Sequence, residues 1–184
     1  MKKRSKMVLV SHCILNPCSK VEGVKKDTSY NLKLVKYFMK NDIGIIQLPC
    51  PEMYMYGSKR WGHVKNQFDT RFFREQSKEL LNPLISQITD YVENDYEIIG
   101  VIGINGSPSC GINKVCTGET WGGEFRNLDI VNRKVKELVY SDGSGVFMEV
   151  LMESLRYYDI DVPFYPIEEF NPDDMINETI SRII

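Results

Sequence analysis

The chain of 184 residues carries 23 Lys and Arg against 25 Asp and Glu, a formal net charge of -2, with 42% hydrophobic and 26% charged residues. That length suits one domain, residues 1–184, able to bury a core without disulfides or metal as staples. The balanced charge argues against a nucleic-acid partner and against disorder.

The basic start MKKRSK is followed by only MVLV before polar residues resume. This is too short for a signal peptide or a membrane span, so a cytoplasmic protein with no membrane contact is expected. Met7–Val10 reads as a buried strand, a continuous apolar run with no polar face. Ser29–Lys40 reads as a helix with Leu32, Val35, Phe38 and Met39 on one face and Asp27, Thr28 or Ser29 as its cap. Ile43–Leu48 is a second strand, ended by Pro49. From Pro51 to Asp69 runs an irregular aromatic and basic stretch, long for a connection and therefore a candidate functional loop.

Thr70–Glu93 has a helical stripe of Leu81, Leu84, Ile85, Ile88 and Val92. Pro83 either kinks this helix or opens a second one behind Asn82. Tyr96–Ile104 is a third buried strand, and Thr117–Ser141 reads as a hairpin or short strand pair. Gly145–Tyr158 reads as a helix capped by Ser144, with Val146, Phe147, Val150, Leu151 and Leu155 facing the core. Val162–Tyr165 reads as a late strand, and Asn171-Pro172 opens a terminal helix burying Met175, Ile176, Ile180 and Ile183. Buried strands alternating with helices predict an α/β fold, a Rossmann-like three-layer domain with a mainly parallel sheet.

The five cysteines are an odd number in a chain expected to keep its thiols reduced, so metal or catalysis is more plausible than a disulfide framework. Cys13 follows the first strand, Cys50 the second and Cys110 the third. In a parallel sheet the carboxyl ends of the strands share one edge, where open α/β folds bind ligands, so these three thiols are expected to converge. Converging thiolates repel unless a cation or cluster lies between them, and soft sulfur selects zinc, copper(I) or iron-sulfur. In GINGSPSCG, Gly103, Gly106 and Gly111 let the backbone pass close to a bulky centre, and Pro108 stiffens the bend. Ile112-Asn113 stands where a phosphate loop would have Lys-Ser/Thr, which argues against that alternative.

SHCILN around Cys13, LPCPE around Cys50 and GSPSCG around Cys110 resemble the thiouracil desulfidase family, with GVFMEVL (Gly145–Leu151) and the weaker TGETWGGEF extending the likeness over most of the chain. The resemblance implies a 4Fe-4S cluster held by Cys13, Cys50 and Cys110 alone, leaving one iron open to take the sulfur of a thiocarbonyl substrate while water replaces it at carbon. It implies a small thiolated partner such as a nucleobase, with Glu52 as acid/base residue and Ser107 as its helper. An open site on a thiophilic metal would polarise C=S as a Lewis acid, and Glu52, two residues beyond Cys50, is placed to handle water or a proton. Departures from the family pattern surround the motifs: His12 before the first cysteine, Ile-Leu-Asn after it, and MYMYGSKRW after Cys-Pro-Glu. These leave the substrate open.

His12 reads as a packed residue, a proton shuttle or a fourth ligand. Cys18 and Cys116 read as buried or spare thiols rather than primary ligands. Tyr54, Tyr56, Lys59, Arg60, Trp61 and His63 form either a pocket for a flat heterocycle or a surface loop. The alternatives to the desulfidase are a zinc protein using the three cysteines with His12 or water, and a non-enzymatic sulfur or redox carrier using Cys18 and Cys116.

Overall fold

The computed structural model describes residues 5–24, 29–168 and 172–183. Its main sheet has four parallel strands, β1 (Lys6–Val10), β2 (Ile43–Gln47), β3 (Glu97–Ile104) and β6 (Phe164–Ile167), in the order β2-β1-β3-β6. Successive side chains of a strand point to opposite faces, and both faces of this sheet are covered. Met7, Leu9, Ile98 and Val101 meet the long helix α5 (Arg71–Glu93) and α7 (Val146–Tyr157), through Phe73, Leu81, Ile85, Phe147, Val150 and Leu151. Val8, Val10, Ile102 and Ile104 meet Leu34 and Phe38 of α2 (Ser29–Lys40) and Ile180 of α8 (Pro172–Ile183). The result is the expected Rossmann-like α/β sandwich of three layers, and burial on both faces is why MVLV and EIIGVIGI lack polar alternation.

A second, two-stranded antiparallel sheet pairs β4 (Lys114–Thr117) with β5 (Val139–Asp142); the pair expected within Thr117–Ser141 is thus shifted, its first strand preceding that span apart from Thr117. The intervening α6 (Leu128–Lys136) was not read from the sequence although Leu128, Val131 and Val135 recur at helical spacing, and the fold leaves no residue of it buried. The remaining helices are short: α1 (His12–Leu15), α3 (Pro51–Tyr56) and α4 (Lys65–Phe68). Among the described residues no helix is long and apolar enough to cross a membrane.

Several local expectations are corrected. On α2 the buried face is Asn31, Leu34 and Phe38, whereas Leu32 and Met39 are exposed. Ser144 does not cap α7: its hydroxyl donates to the Ile112 carbonyl at 2.8 Å, and Gly145 is the cap residue. The stretch after Pro51 is not irregular throughout, since α3 and α4 lie within it. The late strand begins two residues beyond Val162, at Phe164, and Val92 is exposed on α5. Asp27 and Thr28, and the side chains of Met175, Ile176 and Ile183, lie outside the described residues.

Pro83 neither ends nor restarts α5, which runs unbroken from Arg71 to Glu93. Pro83 faces solvent, as does Glu79, whose carbonyl loses its helical donor on the exposed side of the helix. Pro83→Ala restores that bond and is expected to raise stability by about 1–2 kcal/mol. Chemical denaturation checks this, and an unchanged or lowered midpoint would mean the helix is not continuous in solution.

Candidate functional site

A cavity of about 220 Å³ opens at the carboxyl edge of the main sheet and is lined by Cys13, Cys50 and Cys110 together with Glu52, Ser107 and Ser109. The three cysteines arrive by three different strand exits. β1 runs on through Ser11, whose N–H donates to the Ile102 carbonyl at 2.9 Å, and turns at once into α1, which carries Cys13. β2 runs on to Leu48, whose N–H donates to the Val10 carbonyl at 2.9 Å, before Pro49 breaks the ladder. Cys50 then becomes the cap of α3, its Sγ accepting the Met53 N–H at 3.4 Å. Pro51 occupies the first position of that helix, where its missing N–H costs nothing.

β3 leads into the loop that carries Ser107, Ser109 and Cys110, and this loop is clamped on both sides. Asn105 Oδ1 accepts the N–H groups of Ile112, Asn113 and Lys114 at 3.4, 3.0 and 3.3 Å. The N-terminal amides of α7, unpaired within their own helix, donate into the loop: Val146 to Pro108 O at 3.1 Å and Met148 to Ser109 O at 3.2 Å. A Cβ on Gly145 would collide with the backbone of Ser109 and Cys110, so only glycine allows this approach. The Gly145–Leu151 motif therefore serves to seat the cysteine loop. Its Glu149 pairs with Lys65 and, at 2.5 Å, with Arg74, tying α7 to α4 and α5.

Glu52 is a buried carboxylate of the cavity, which the cationic side chains Lys20 and Arg60 also line. Its Oε2 accepts Arg60 Nε at 3.1 Å and its Oε1 accepts the Ser109 hydroxyl at 2.6 Å. Arg60 also donates to Ser19 O at 2.6 Å and Gly57 O at 3.1 Å, and its side chain is only 3% exposed. The cation therefore holds the carboxylate and two backbone segments in one arrangement. Ser107 Oγ accepts the Cys110 N–H at 3.0 Å and stands 3.3 Å from Ser109 Oγ, one hydroxyl removed from Glu52.

The thiols share an electrostatic environment. Burial pushes the Cys110 thiol well above its ordinary value of 9.0, and negative charge on Cys13, Cys50 or Glu52 pushes it further, against a hydrogen bond from Ser109. Cys50 is also raised, first by burial. Both are therefore protonated thiols at neutral pH in the protein alone. Among the described residues no three His, Cys, Asp or Glu side chains are gathered so as to hold a metal ion; the three thiols line a common cavity without closing on a single point.

His12 lines the cavity. Its Nδ1 lies 3.2 Å from the Leu48 carbonyl and its Nε2 lies 3.4 Å from the Asn16 amide nitrogen. A proton on Nδ1 donates to Leu48 and leaves Nε2 to accept from Asn16, so the ring joins the exits of β1 and β2. Cys18 is exposed and Cys116 half-buried, and neither lines the cavity. Of Tyr54, Tyr56, Lys59, Arg60, Trp61 and His63, Arg60 alone does. Tyr56 and His63 stack with Phe68, and Trp61 stacks on Phe125.

Ser109 and Tyr140 were not singled out from sequence. Ser109 sits inside GSPSCG, where two serines compete and only the fold decides which reaches Glu52. Tyr140 comes from β5, and no local signal links it to the cysteines.

Residues 5–183 match the family described as "Putative 2-thiouracil desulfurase", and the chain belongs to that family. It is 36% identical over 156 residues, 84% of this chain and 99% of the relative, to an uncharacterized protein of Methanocaldococcus jannaschii. No solved structure matches.

Two measurements check this geometry. Arg60→Met leaves Glu52 buried without its cation and is expected to cost about 3 kcal/mol or more, whereas Arg60→Met combined with Glu52→Gln is expected to cost much less than the two single changes summed; additivity would mean the pair is not formed. In metal-free protein, alkylation is expected to reach Cys18 first and Cys110 last at pH 7. Because the Cys110 value is raised, its thiolate and hence its labelling appear only as pH climbs beyond the ordinary thiol range. Early labelling of Cys110 at pH 7 would contradict its burial.

Proposed function

We propose that this protein desulfurates a small thiocarbonyl compound of nucleobase size, C=S plus water giving C=O plus hydrogen sulfide, with no net redox change. The reading rests on one observation above all: Cys13, Cys50, Cys110 and Glu52 line one cavity in a chain of the 2-thiouracil desulfurase family.

We assign Cys13, Cys50 and Cys110 as ligands of an iron-sulfur cluster. Three soft donors around a common cavity fit such a centre by chemistry, and a single tetrahedral zinc would instead draw its thiolates within about 4 Å of one another. The side chains would have to turn inward and lose their protons to take it up, since they are not gathered on a common centre as they stand. When bound through three cysteines, a 4Fe-4S cluster supplies an open thiophilic iron that polarises C=S.

The remaining work falls to the chain. Arg60 and Ser109 fix the Glu52 carboxylate, and each of its oxygens keeps a second lone pair with which to accept a proton from water. Ser109 is the hydroxyl in direct contact with Glu52. Ser107 caps the cysteine loop and offers its own hydroxyl to the cavity one step further out. The apolar groups Val21, Val24, Ile104 and Pro108 also line the cavity and restrict water there.

Anaerobically prepared protein is expected to be brown and to contain iron and acid-labile sulfide in equal amounts, and to release sulfide from thiolated bases. Glu52→Gln is expected to lower kcat by about 100-fold or more with the cofactor retained, and Ser109→Ala by less. Cys13→Ser, Cys50→Ser or Cys110→Ser is expected to abolish cluster loading, while Cys18→Ser and Cys116→Ser leave it intact. Stoichiometric zinc in place of iron, or activity lost with Cys18 or Cys116 and retained in Glu52→Gln, would overturn the proposal.

A further inference from the structure

We infer that Tyr140 is a specificity-determining residue whose ring forms one wall of the cysteine-lined cavity and selects flat aromatic thiones over puckered ones bearing the same thiocarbonyl edge. The inference rests on the desulfurase reading of that cavity.

Tyr140 lies on β5, in the small sheet rather than the main one, yet it lines the cavity. The small sheet is hung on the cysteine loop at Gly106. Its N–H donates to the Lys114 carbonyl at 2.9 Å, its carbonyl accepts the Cys116 N–H at 3.1 Å, and it bridges to Val115. Tyr140 stands directly across β4 from Cys116, so this attachment carries its ring to the loop.

Gly106 makes room for that ring. Its φ of 85° lies in the left-handed region, and a Cβ there would come within 2.9 Å of Tyr140 Cε1. The ring therefore packs against a bare Cα, next to the residue that opens the Ser107–Cys110 turn.

Tyr140 remains 62% exposed, so it is no core residue. Its ring lines a cavity together with Val21, Val24 and Pro108, an apolar surface suited to a planar ring, while Glu52, the serines and the thiols supply the polar and sulfur-seeking groups. Stacking of a base on an aromatic side chain is worth a factor of about ten or more in affinity and depends on the π face rather than on hydrogen bonds.

The test compares binding of 2-thiouracil with that of 5,6-dihydro-2-thiouracil, which keeps the thiocarbonyl and ring N–H groups but loses the flat aromatic ring. Titration calorimetry on purified protein gives the two Kd values for wild type, Tyr140→Phe, Tyr140→Leu and Tyr140→Ala, with thermal melting to confirm folding. Wild type and Tyr140→Phe are expected to bind 2-thiouracil about tenfold or more tightly than the dihydro compound. In Tyr140→Leu and Tyr140→Ala that preference is expected to collapse through weaker 2-thiouracil binding, with the dihydro compound little changed. An unchanged preference in Tyr140→Ala, a Tyr140→Phe protein as impaired as Tyr140→Ala, equal loss of both ligands, or no binding of 2-thiouracil to wild type would each overturn it. Sulfide release is measured separately, so discrimination without sulfide release defeats the desulfurase reading and leaves the wall standing, and the reverse outcome does the opposite.

Discussion

Parallel pairing of β2, β1 and β3 is the constraint on which the rest of the structure depends. Because the three strands point the same way, their carboxyl ends share an edge, and the residues just past those ends meet although they are far apart along the chain. β1 and β3 are neighbours in the order β2-β1-β3-β6, and the chain leaves β1 toward β2 on one side and leaves β3 toward β6 on the other, so the connections from their adjacent ends depart in opposite directions. Such a reversal leaves a crevice in open α/β sheets. Cys13 stands at one side of it, Cys110 at the other, and the Cys50 cap of α3 completes the lining. Any pairing that reversed one of these strands would send its cysteine to the opposite edge.

A second level of organisation keeps polar groups in that crevice from being a liability. A carboxylate as buried as Glu52 is costly unless paired. Arg60 and Ser109 satisfy it, and Arg60 in turn donates from Nη1 and Nη2 to the carbonyls of Gly57 and Ser19. The segment after Cys13, the end of α3 and the carboxylate are thereby tied into one unit. The cysteine loop is held in the same manner from its other side, by Asn105 and by the first amides of α7. Rigid support from regular elements is what allows a loop of glycine, serine and proline to present a thiol at a defined place.

Much of this was legible because buried parallel strands leave a simple trace. MVLV and the buried IIGVIGI of β3 have no polar face, IGIIQ at the sheet edge was legible from its apolar run alone, and the residue types that stop these runs mark where the chain leaves the sheet. Helix α7 was legible for the related reason that its apolar stripe is wide. The face of helix α2 was misread in part: Phe38 is buried as expected, but Leu32 and Met39 lie on the solvent face, and Asn31 and Leu34 are buried in their stead. Helix α6 was missed although Leu128, Val131 and Val135 make a short apolar stripe on it, because the stretch was read as a strand pair, and nothing on the helix is buried. Arg60 was noticed only as one of a group of aromatic and basic residues, and its partner Glu52 could not be identified from spacing alone.

The sequence by itself determined the sheet class, the three strand exits that bear cysteines, and the chemistry of their thiols, because these follow from local hydrophobic pattern and residue type. Only the tertiary structure decided that Ser109 rather than Ser107 meets Glu52, that Arg60 is committed to that carboxylate, and that Tyr140 reaches the cavity from a separate sheet. Those outcomes depend on how distant backbones approach one another, across Gly145 and Gly106 in particular, and such approaches are set by packing between elements rather than by any pattern within one of them.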